Sequence, residues 1–304
     1  MSVKFKLNSV RVIMRCIIIT AFIASFISCS KKDIQSPTLQ KVSVDLNDNS
    51  TIVMPDAVAG IAAGKAAKDI SSLKYNTFYG PQVQMGDGRA RSWINIFHDG
   101  RPLAIGIEMT DGALHGLTQD PTDFAGSTFI LPLHQKAKSV TPFDHLVIDW
   151  NPLGHAPEHV YDIPHFDFHF YKISLQAQLA IPPYPLAPAA FDKDPPAGYM
   201  PPLYLHTEGG VPQMGAHWVD LLSPEFSGEL FTSTFIYGSY DGHVTFDEPM
   251  ITLTTLESGM TIHKDIRQPQ YFDPANNYYP TRYNIWQDNT NDRHYISLDN
   301  MVWR

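Results

Sequence analysis

The sequence predicts a mainly β protein with a few short helices (α+β), folded as a single antiparallel β-rich domain that is barrel- or sandwich-like. Two observations support this fold class. From Tyr79 onward, short runs rich in β-branched and aromatic residues alternate apolar and polar side chains. Several runs are joined by turn sequences, such as Asp99-Gly100 in "HDGRP". After Leu73 we find no repeat and no sharp change of composition, so we expect one domain over residues 54–304.

The predicted elements follow in chain order. A hairpin pairs "RARSWINIF" with "LAIGIEM", and a short helix is expected from Asp111. Further strands are expected at "STFILPL", "HLVIDW", "GELFTSTFIYG", "HVTFDEPMITLT", "RYNIW" and "RHYISL". Residues 181–204 contain eight of the 24 prolines, a density that no central strand or helix tolerates. We expect a long surface loop there, with a lid over a pocket as the alternative.

The N-terminus has the features of an export signal. Basic residues precede the apolar run "CIIITAFIASFIS", which is too short for a confident membrane span of ~20 residues. "FISCSKKD" is similar to a bacterial lipoprotein signal, in which Cys29 becomes the lipidated first residue of the mature chain. We therefore expect a lipoprotein signal peptide at residues 1–28, a flexible tether at residues 29–53, and an exported protein held at a bacterial membrane on its periplasmic or cell-surface side. An ordinary signal peptide or an uncleaved anchor is the alternative.

Composition excludes several classes of function. Both cysteines, Cys16 and Cys29, lie in the leader region, so no disulfide or thiolate site is expected in the mature chain. Without the leader's four basic residues the formal charge goes from −9 to −13, which argues against nucleic acid as a partner. "GIAAGKAA" lacks the spacing, the Ser or Thr and the preceding strand of a phosphate-binding loop, so no nucleotide is expected.

The stretch "YDIPHFDFHFY" carries the most chemistry. On a strand, His165, Asp167, His169 and Tyr171 share one face, and three phenylalanines share the other. The phenylalanine face predicts a core. The polar face would be buried too if the strand continued through Ile173, although "SLQAQLA" could instead be a short helix capped by Ser174. We favour burial of both faces over a polar face in water.

Strand geometry limits which of these groups can hold one ion. Residues i and i+2 lie ~6.7 Å apart along a strand, whereas i and i+4 lie ~13 Å apart and normally cannot share an ion. The strand thus offers His165 with Asp167 or Asp167 with His169; all three could contribute if Pro164 delays the strand or a bulge re-aims one side chain. Alternatively, Asp167 could orient a ligand histidine. "HFDFH" therefore predicts a pair of ligands with an orienting neighbour.

Further ligands must come from other segments. Glu248 shares a face with apolar residues in "HVTFDEPM", which is costly for a carboxylate unless it is paired or bound to a cation. His217 follows a Gly-Ala turn in "QMGAHWVD", and "DWNPLGHAPEHVY" supplies His155, Glu158 and His159. Histidine and carboxylate ligands without cysteine suit one divalent transition metal such as zinc, iron or manganese. The predicted metal ligands are His165, Asp167, His169, His217 and Glu248.

Two further classes of function compete with a metal-dependent or acid–base pocket for a small molecule. In the pocket hypothesis, Tyr171 or His155 would assist proton transfer. In the second, a non-catalytic binding or stress-response module would use aromatic surfaces and the Pro-rich loop to contact a ligand or copies of itself as a homo-oligomer. The third is a structural envelope component. Seven other histidines are expected to be structural or exposed: His98, His115, His134, His145, His243, His263 and His294.

The words "DWNPLGH", "PHFDFHFY", "MGAHWVD", "FIYGSYDG" and "TFDEPM" occur in this order. Together they resemble an uncharacterised bacterial domain family, mostly exported or lipid-anchored, with at least one member under extracytoplasmic sigma/anti-sigma control. The resemblance covers roughly residues 75–260, and the family has no established enzymatic activity that could be transferred to this chain. It implies that His155, the three polar residues of "HFDFH", His217 and Glu248 belong to one shared pattern.

Overall fold

The computed structural model describes Leu46, residues 49–55 and residues 74–304, and these residues belong to one compact unit. Several predicted features lie outside the described residues: the signal peptide, both cysteines including the predicted lipidation site Cys29, most of the tether and "GIAAGKAA". Among the described helices, none has the length and apolar character needed to cross a bilayer.

Strands dominate the part of the chain that the structure describes. They are β1 (Tyr75–Tyr79), β2 (Val83–Met85), β3 (Gly88–Phe97), β4 (Pro102–Thr110), β5 (Thr128–Pro132), β6 (His145–Asn151), β7 (His165–Tyr171), β8 (Tyr204–His206), β9 (Ala216–Asp220), β10 (Ser233–Tyr240), β11 (His243–Thr252), β12 (Ile262–Asp265), β13 (Tyr278–Tyr279), β14 (Arg282–Asp288), β15 (Arg293–Asp299) and β16 (Val302–Trp303). Short α-helices span Phe124–Ser127, Gln135–Lys138, Leu175–Leu179, Pro188–Phe191 and Leu253–Glu257, and 3-10 turns span Asp111–Leu114, Tyr184–Leu186 and Pro224–Ser227.

The strands form two large antiparallel sheets. The first has the order β1-β3-β4-β15-β14-β12, with β2 also paired to β3, and the second has the order β5-β6-β7-β11-β10-β9-β8. The apolar core contains residues of both sheets, including Ile94 and Ile107 from the first and Phe166, Phe168 and Phe170 from the second. The predicted β-rich antiparallel fold is confirmed, and the arrangement is sandwich-like; the described strands form no closed barrel.

Local turn chemistry explains the hairpins. β3 and β4 are joined through Gly100, whose φ of +89° suits a residue without a Cβ. β10 and β11 are joined by Asp241 and Gly242, both at positive φ. The predicted strand "GELFTSTFIYG" begins later than expected, at Ser233, and runs on to Tyr240. The predicted short helix at Asp111 is a 3-10 turn.

β7 lies in the middle of the second sheet, between β6 and β11, and all seven of its residues are buried. Its phenylalanines face the other sheet. Loops cover its polar face: Tyr161 and Phe231, which come from connecting segments, belong to a small apolar cluster there with Met250 of β11. The favoured burial of both faces is therefore confirmed. The strand does not continue beyond Tyr171, because Ser174 caps a short helix with a hydrogen bond to the backbone N–H of Ala177.

The Pro-rich segment is anchored to the second sheet. Phe191 is fully buried and packs edge-on against Tyr240, and the backbone N–H of Asp241 donates to the carbonyl of Ala190. Ile52 lies within the range expected for the flexible tether. It is nevertheless buried against the first sheet, and its backbone N–H donates to the hydroxyl of Thr77.

Candidate metal centre

The register of the second sheet places polar residues in neighbouring rows on the face turned away from the core. Asp167 lies opposite Asp149 on β6, and His165 lies opposite Asn151. On the other side, Asp167 lies opposite Met250 of β11. The same register brings Glu248 opposite His169 rather than opposite Asp167.

The first group of candidate ligands, which we call site 1, consists of His155, His165 and Asp167. His165 Nε2 lies 3.2 Å from Asp167 Oδ1, and His155 Nε2 lies 3.3 Å from Asp167 Oδ2. His165 and Asp167 are buried, whereas 38% of the His155 side chain is exposed. Site 1 therefore has two enclosed ligands and one ligand that reaches solvent.

Backbone carbonyls orient both histidines of site 1. His165 Nδ1 lies 2.7 Å from the carbonyl oxygen of Ile163, and His155 Nδ1 lies 2.7 Å from that of Ala156. A carbonyl can only accept, so each Nδ1 donates and the neutral ring keeps its lone pair on Nε2. Histidines that bind metals commonly have their second nitrogen held in this way. Asn151 Nδ2 also donates to Asp167 Oδ2 at 2.7 Å, which fixes the carboxylate.

The second group, which we call site 2, consists of His169, His217 and Glu248. His169 Nε2 lies 3.4 Å from Glu248 Oε2, and His217 Nε2 lies 3.9 Å from the same oxygen. His217 lies on β9. Its partner in the register with β10 is Gly238, which has no side chain. His169 and Glu248 are fully enclosed, and the His217 side chain is 16% exposed.

Asp149 is a site residue that the sequence reasoning did not identify. Its Oδ2 lies 3.1 Å from His169 Nδ1, and its Oδ1 accepts a hydrogen bond from Thr128. A carboxylate facing the second nitrogen of a ligand histidine is a common arrangement behind metal sites. The sequence "HLVIDW" does place Asp149 in an apolar run, which is unusual for an acid. The residue that Asp149 contacts, however, depends on how β6 pairs with β7.

Electrostatics couple the two sites. Burial lowers the pKa of His155, but its attraction to Asp167 and hydrogen bonds to Asp167 and Ala156 outweigh burial and raise the pKa to about 9. Burial likewise opposes the charge of His169, but Glu248 and Asp149 raise its pKa to about 9. The negative charge of Asp167 in site 1 also contributes to the raised pKa of Glu248 in site 2.

The other groups shift as their surroundings dictate. Burial raises the pKa of Glu248 to about 8, against the attraction of His169. Burial and the positive charges of His169 and His155 lower the pKa of His217 to about 3. Burial opposes the charge of Asp167, yet His165 and His155 hold the pKa of that carboxyl well below its usual range.

The spacing of the donor atoms fits a metal ion. Zinc binds imidazole nitrogen and carboxylate oxygen at about 2.0–2.1 Å, so two ligands of a tetrahedral ion lie about 3.3 Å apart. The separations of 3.2 and 3.3 Å in site 1 and 3.4 Å in site 2 match this value, while the 3.9 Å between His217 Nε2 and Glu248 Oε2 is longer. Six buried atoms of the two sites and their neighbour lack a hydrogen-bond partner among the described residues: His165 Nε2, Asp167 Oδ1, His169 Nδ1, His169 Nε2, Glu248 Oε2 and Asp149 Oδ2. Leaving so many polar atoms unpaired is costly unless a cation lies among them.

The five predicted metal ligands and His155 thus lie in one region, divided between two sites. Tyr171 does not turn its hydroxyl to either site: the hydroxyl donates to the carbonyl of Gln213, and the ring stacks on His145 and His169. Burial raises the pKa of Tyr171 well above its usual value, which makes it a poor general base. Glu158 and His159, which follow His155 in the same loop, belong to neither group.

A separate cavity of about 530 Å³ lies against the first sheet, lined in part by Arg91, Glu108 and Trp286. Its buried acid, Glu108, is already paired with Arg91 at 2.6 Å and accepts from the hydroxyl of Tyr295. The described residues of that cavity therefore offer no comparable set of metal ligands.

Comparison with known proteins gives one likeness. The model of the TTHB210-like family, described as hypothetical protein TTHB210, matches residues 98–150. This match is consistent with an uncharacterised domain family. It ends at Trp150, so it includes Asp149 and none of the residues of sites 1 and 2, and it does not reach the motifs after that point. No curated protein and no solved structure matches the chain.

Proposed function

We propose that this chain is a metal-binding protein of the bacterial envelope, held at a membrane by a lipid on Cys29, and that site 1 binds a divalent transition metal that acts on a small molecule. The observation that carries the proposal is the 3.2 Å contact between His165 Nε2 and Asp167 Oδ1. Both atoms are buried acceptors when the ring is neutral, and neither has a hydrogen-bond partner. A shared cation turns this contact from repulsive to favourable.

The ligand set of site 1 suits an exchangeable position. Two histidines and one carboxylate are the ligands of several catalytic zinc and non-haem iron sites, which leave at least one coordination position open. The exposed fraction of His155 provides the side of the site from which water or a small molecule would approach. A divalent metal there would supply Lewis acidity and lower the pKa of a bound water.

The chain's own residues prepare this position before any ion arrives. Asn151 holds Asp167, and the carbonyls of Ile163 and Ala156 hold the two rings with Nε2 toward the carboxylate. Little rearrangement is then needed on binding, which favours affinity. Zinc, iron and manganese all suit this mixture of nitrogen and oxygen ligands.

Elemental analysis of the full chain tests the proposal. Wild-type protein should carry near-stoichiometric zinc, iron or manganese, and Asp167→Asn should lose the ion of site 1 while keeping the shape of the side chain. Asp220→Asn is the matched control, because Asp220 lies on the same sheet but pairs with Arg267. Metal-free wild-type protein that cannot be reloaded, and whose melting temperature is unchanged by chelation, would instead support a non-catalytic or structural module.

Membrane attachment needs its own test. The leader and Cys29 support lipidation. In cells fed a clickable fatty acid, the wild-type protein should become labelled and stay with the membrane fraction, whereas Cys29→Ala should do neither. Labelling of the variant would contradict a lipid on Cys29.

A further inference from the structure

We propose that site 2 holds a second divalent cation, so that the buried cluster is a two-ion centre rather than a one-ion site. This inference rests on the proposed function of site 1. It concerns His169, His217 and Glu248, with Asp149 as the residue that positions His169.

Strand geometry prevents one ion from using all the ligands. His165 and His169 are four residues apart on β7, which is about 13 Å along a strand. His169 instead meets Glu248, which the register places beside it on β11, at 3.4 Å. An ion bound by His165 and Asp167 therefore leaves His169 and Glu248 with each other and with His217.

A proton on His169 is the competing explanation of site 2. An imidazolium would donate from Nδ1 to Asp149 and from Nε2 to Glu248. The nitrogens lie 3.1 and 3.4 Å from these carboxylate oxygens, but neither contact has hydrogen-bond geometry, and all four atoms lack a partner. His217 also points Nε2 at Glu248 from 3.9 Å, which a proton on His169 does not explain and a shared ion does.

The two sites differ in access. Site 2 is the more enclosed: His169 and Glu248 have 0% and 1% side-chain exposure and His217 has 16%, whereas the His155 side chain of site 1 is 38% exposed. The ion of site 2 should therefore exchange slowly and the ion of site 1 quickly. A chelator should remove one equivalent well before the other.

Cobalt titration of the full chain, after removal of bound metal, tests the inference directly. After ultrafiltration, the wild-type protein should retain two equivalents of Co²⁺ per chain. His155→Ala and His217→Ala should each retain one equivalent, and the double variant should retain none. Two matched controls should keep two equivalents: His159→Ala, an exposed neighbour of His155, and His206→Ala, which lies on the strand next to His217 and pairs with Asp194.

The outcomes separate the two proposals. If the wild-type chain binds a single equivalent and His155→Ala loses it, the two-ion centre is overturned and the proposed function stands. This holds whether or not His217→Ala also loses that equivalent. No bound cobalt overturns both, and so does a single equivalent lost only in His217→Ala. If His217→Ala fails to fold by circular dichroism, Glu248→Gln replaces it, since the amide keeps the shape and removes the charge; two equivalents in that variant overturn site 2.

Discussion

His165 and Asp167 face one another across 3.2 Å on a strand that is buried on both faces. Because His165 Nδ1 is committed to the carbonyl of Ile163, a neutral ring would turn its Nε2 lone pair toward the carboxylate. A cation between the two atoms, a proton or a metal ion, removes that repulsion. The first prediction concerns a metal ion at this position and alters Asn151, the neighbour that holds Asp167.

Asn151→Ala should weaken metal binding at site 1 without removing it. Asn151 Nδ2 donates to Asp167 Oδ2 at 2.7 Å, and loss of such a supporting hydrogen bond typically costs about 10–100-fold in metal affinity. Competition against a chromophoric chelator measures this change. Thr128→Val, which affects Asp149 instead, should leave the affinity of site 1 unchanged. Equal affinities of Asn151→Ala and wild type would show that this hydrogen bond does not support metal binding by Asp167.

Much of the fold could be predicted from the sequence because it is encoded locally. Alternation marks β3 and β11, continuous apolar runs mark β4 and β6, and turn residues such as Gly100 mark the hairpin. Burial of both faces of β7 was also expected, but the expected reason was a longer strand. The structure covers the polar face with the loop that precedes β7 and with the distant loop that carries Phe231, features that alternation does not report.

The residues of the candidate site could be named from the sequence, but their grouping could not. His165, Asp167, His169, His217 and Glu248 each stood out by residue type and position, yet which of them meet depends on the register between strands far apart in sequence. That register sets Glu248 beside His169 and Asp149 behind it. Asp149 and Asn151 were missed for the same reason, since β6 shows its polar partners only once it is paired with β7.

Asp149→Asn should weaken binding at site 2 and spare site 1. Its carboxylate faces His169 Nδ1 at 3.1 Å, and the amide would offer less negative charge to orient and polarise the ring. We expect the cobalt affinity of site 2 to be about 10–100-fold lower than in wild type. The cobalt affinity of site 1 should be unchanged. Loss of both equivalents together would show that the sites act as one.

The stability of metal-free protein should fall as the pH rises from about 6.5 to 9. In the folded chain the pKa values of His155 and His169 are raised to about 9, above the ~6.5 of an unfolded histidine, so the stability they contribute is full below ~6.5 and is lost as the pH passes 9. Glu248, with a pKa raised to about 8 by burial, acts in the same direction. His217 has a lowered pKa and is neutral in both states over most of this window.

Thermal unfolding of chelated protein at pH 6.5, 7.5 and 9 measures this slope. Glu248→Gln should flatten it, because the amide does not titrate. Metal-loaded protein should lose most of the fall, since bound ligands are already deprotonated. A melting temperature of metal-free protein that rises across the window would contradict the pKa shifts.

Gly238→Ala should disturb site 2 through packing alone. A Cβ at Gly238 would collide with the ring of Phe246, which lies over it on the neighbouring strand. That ring contacts His169 and His217, with centroids 4.8 and 5.4 Å away, so its displacement moves both histidines of site 2. Such overpacking costs about 1–3 kcal/mol, measurable by chemical denaturation.

The cobalt affinity of site 2 should fall in Gly238→Ala, while site 1 binds normally. Adding Phe246→Leu to Gly238→Ala should restore part of the stability and affinity, because the smaller side chain leaves room for the new methyl group. Phe246→Leu alone serves as the reference for the double variant. If Gly238→Ala binds two equivalents with unchanged affinity and stability, the ring of Phe246 does not set the positions of His169 and His217.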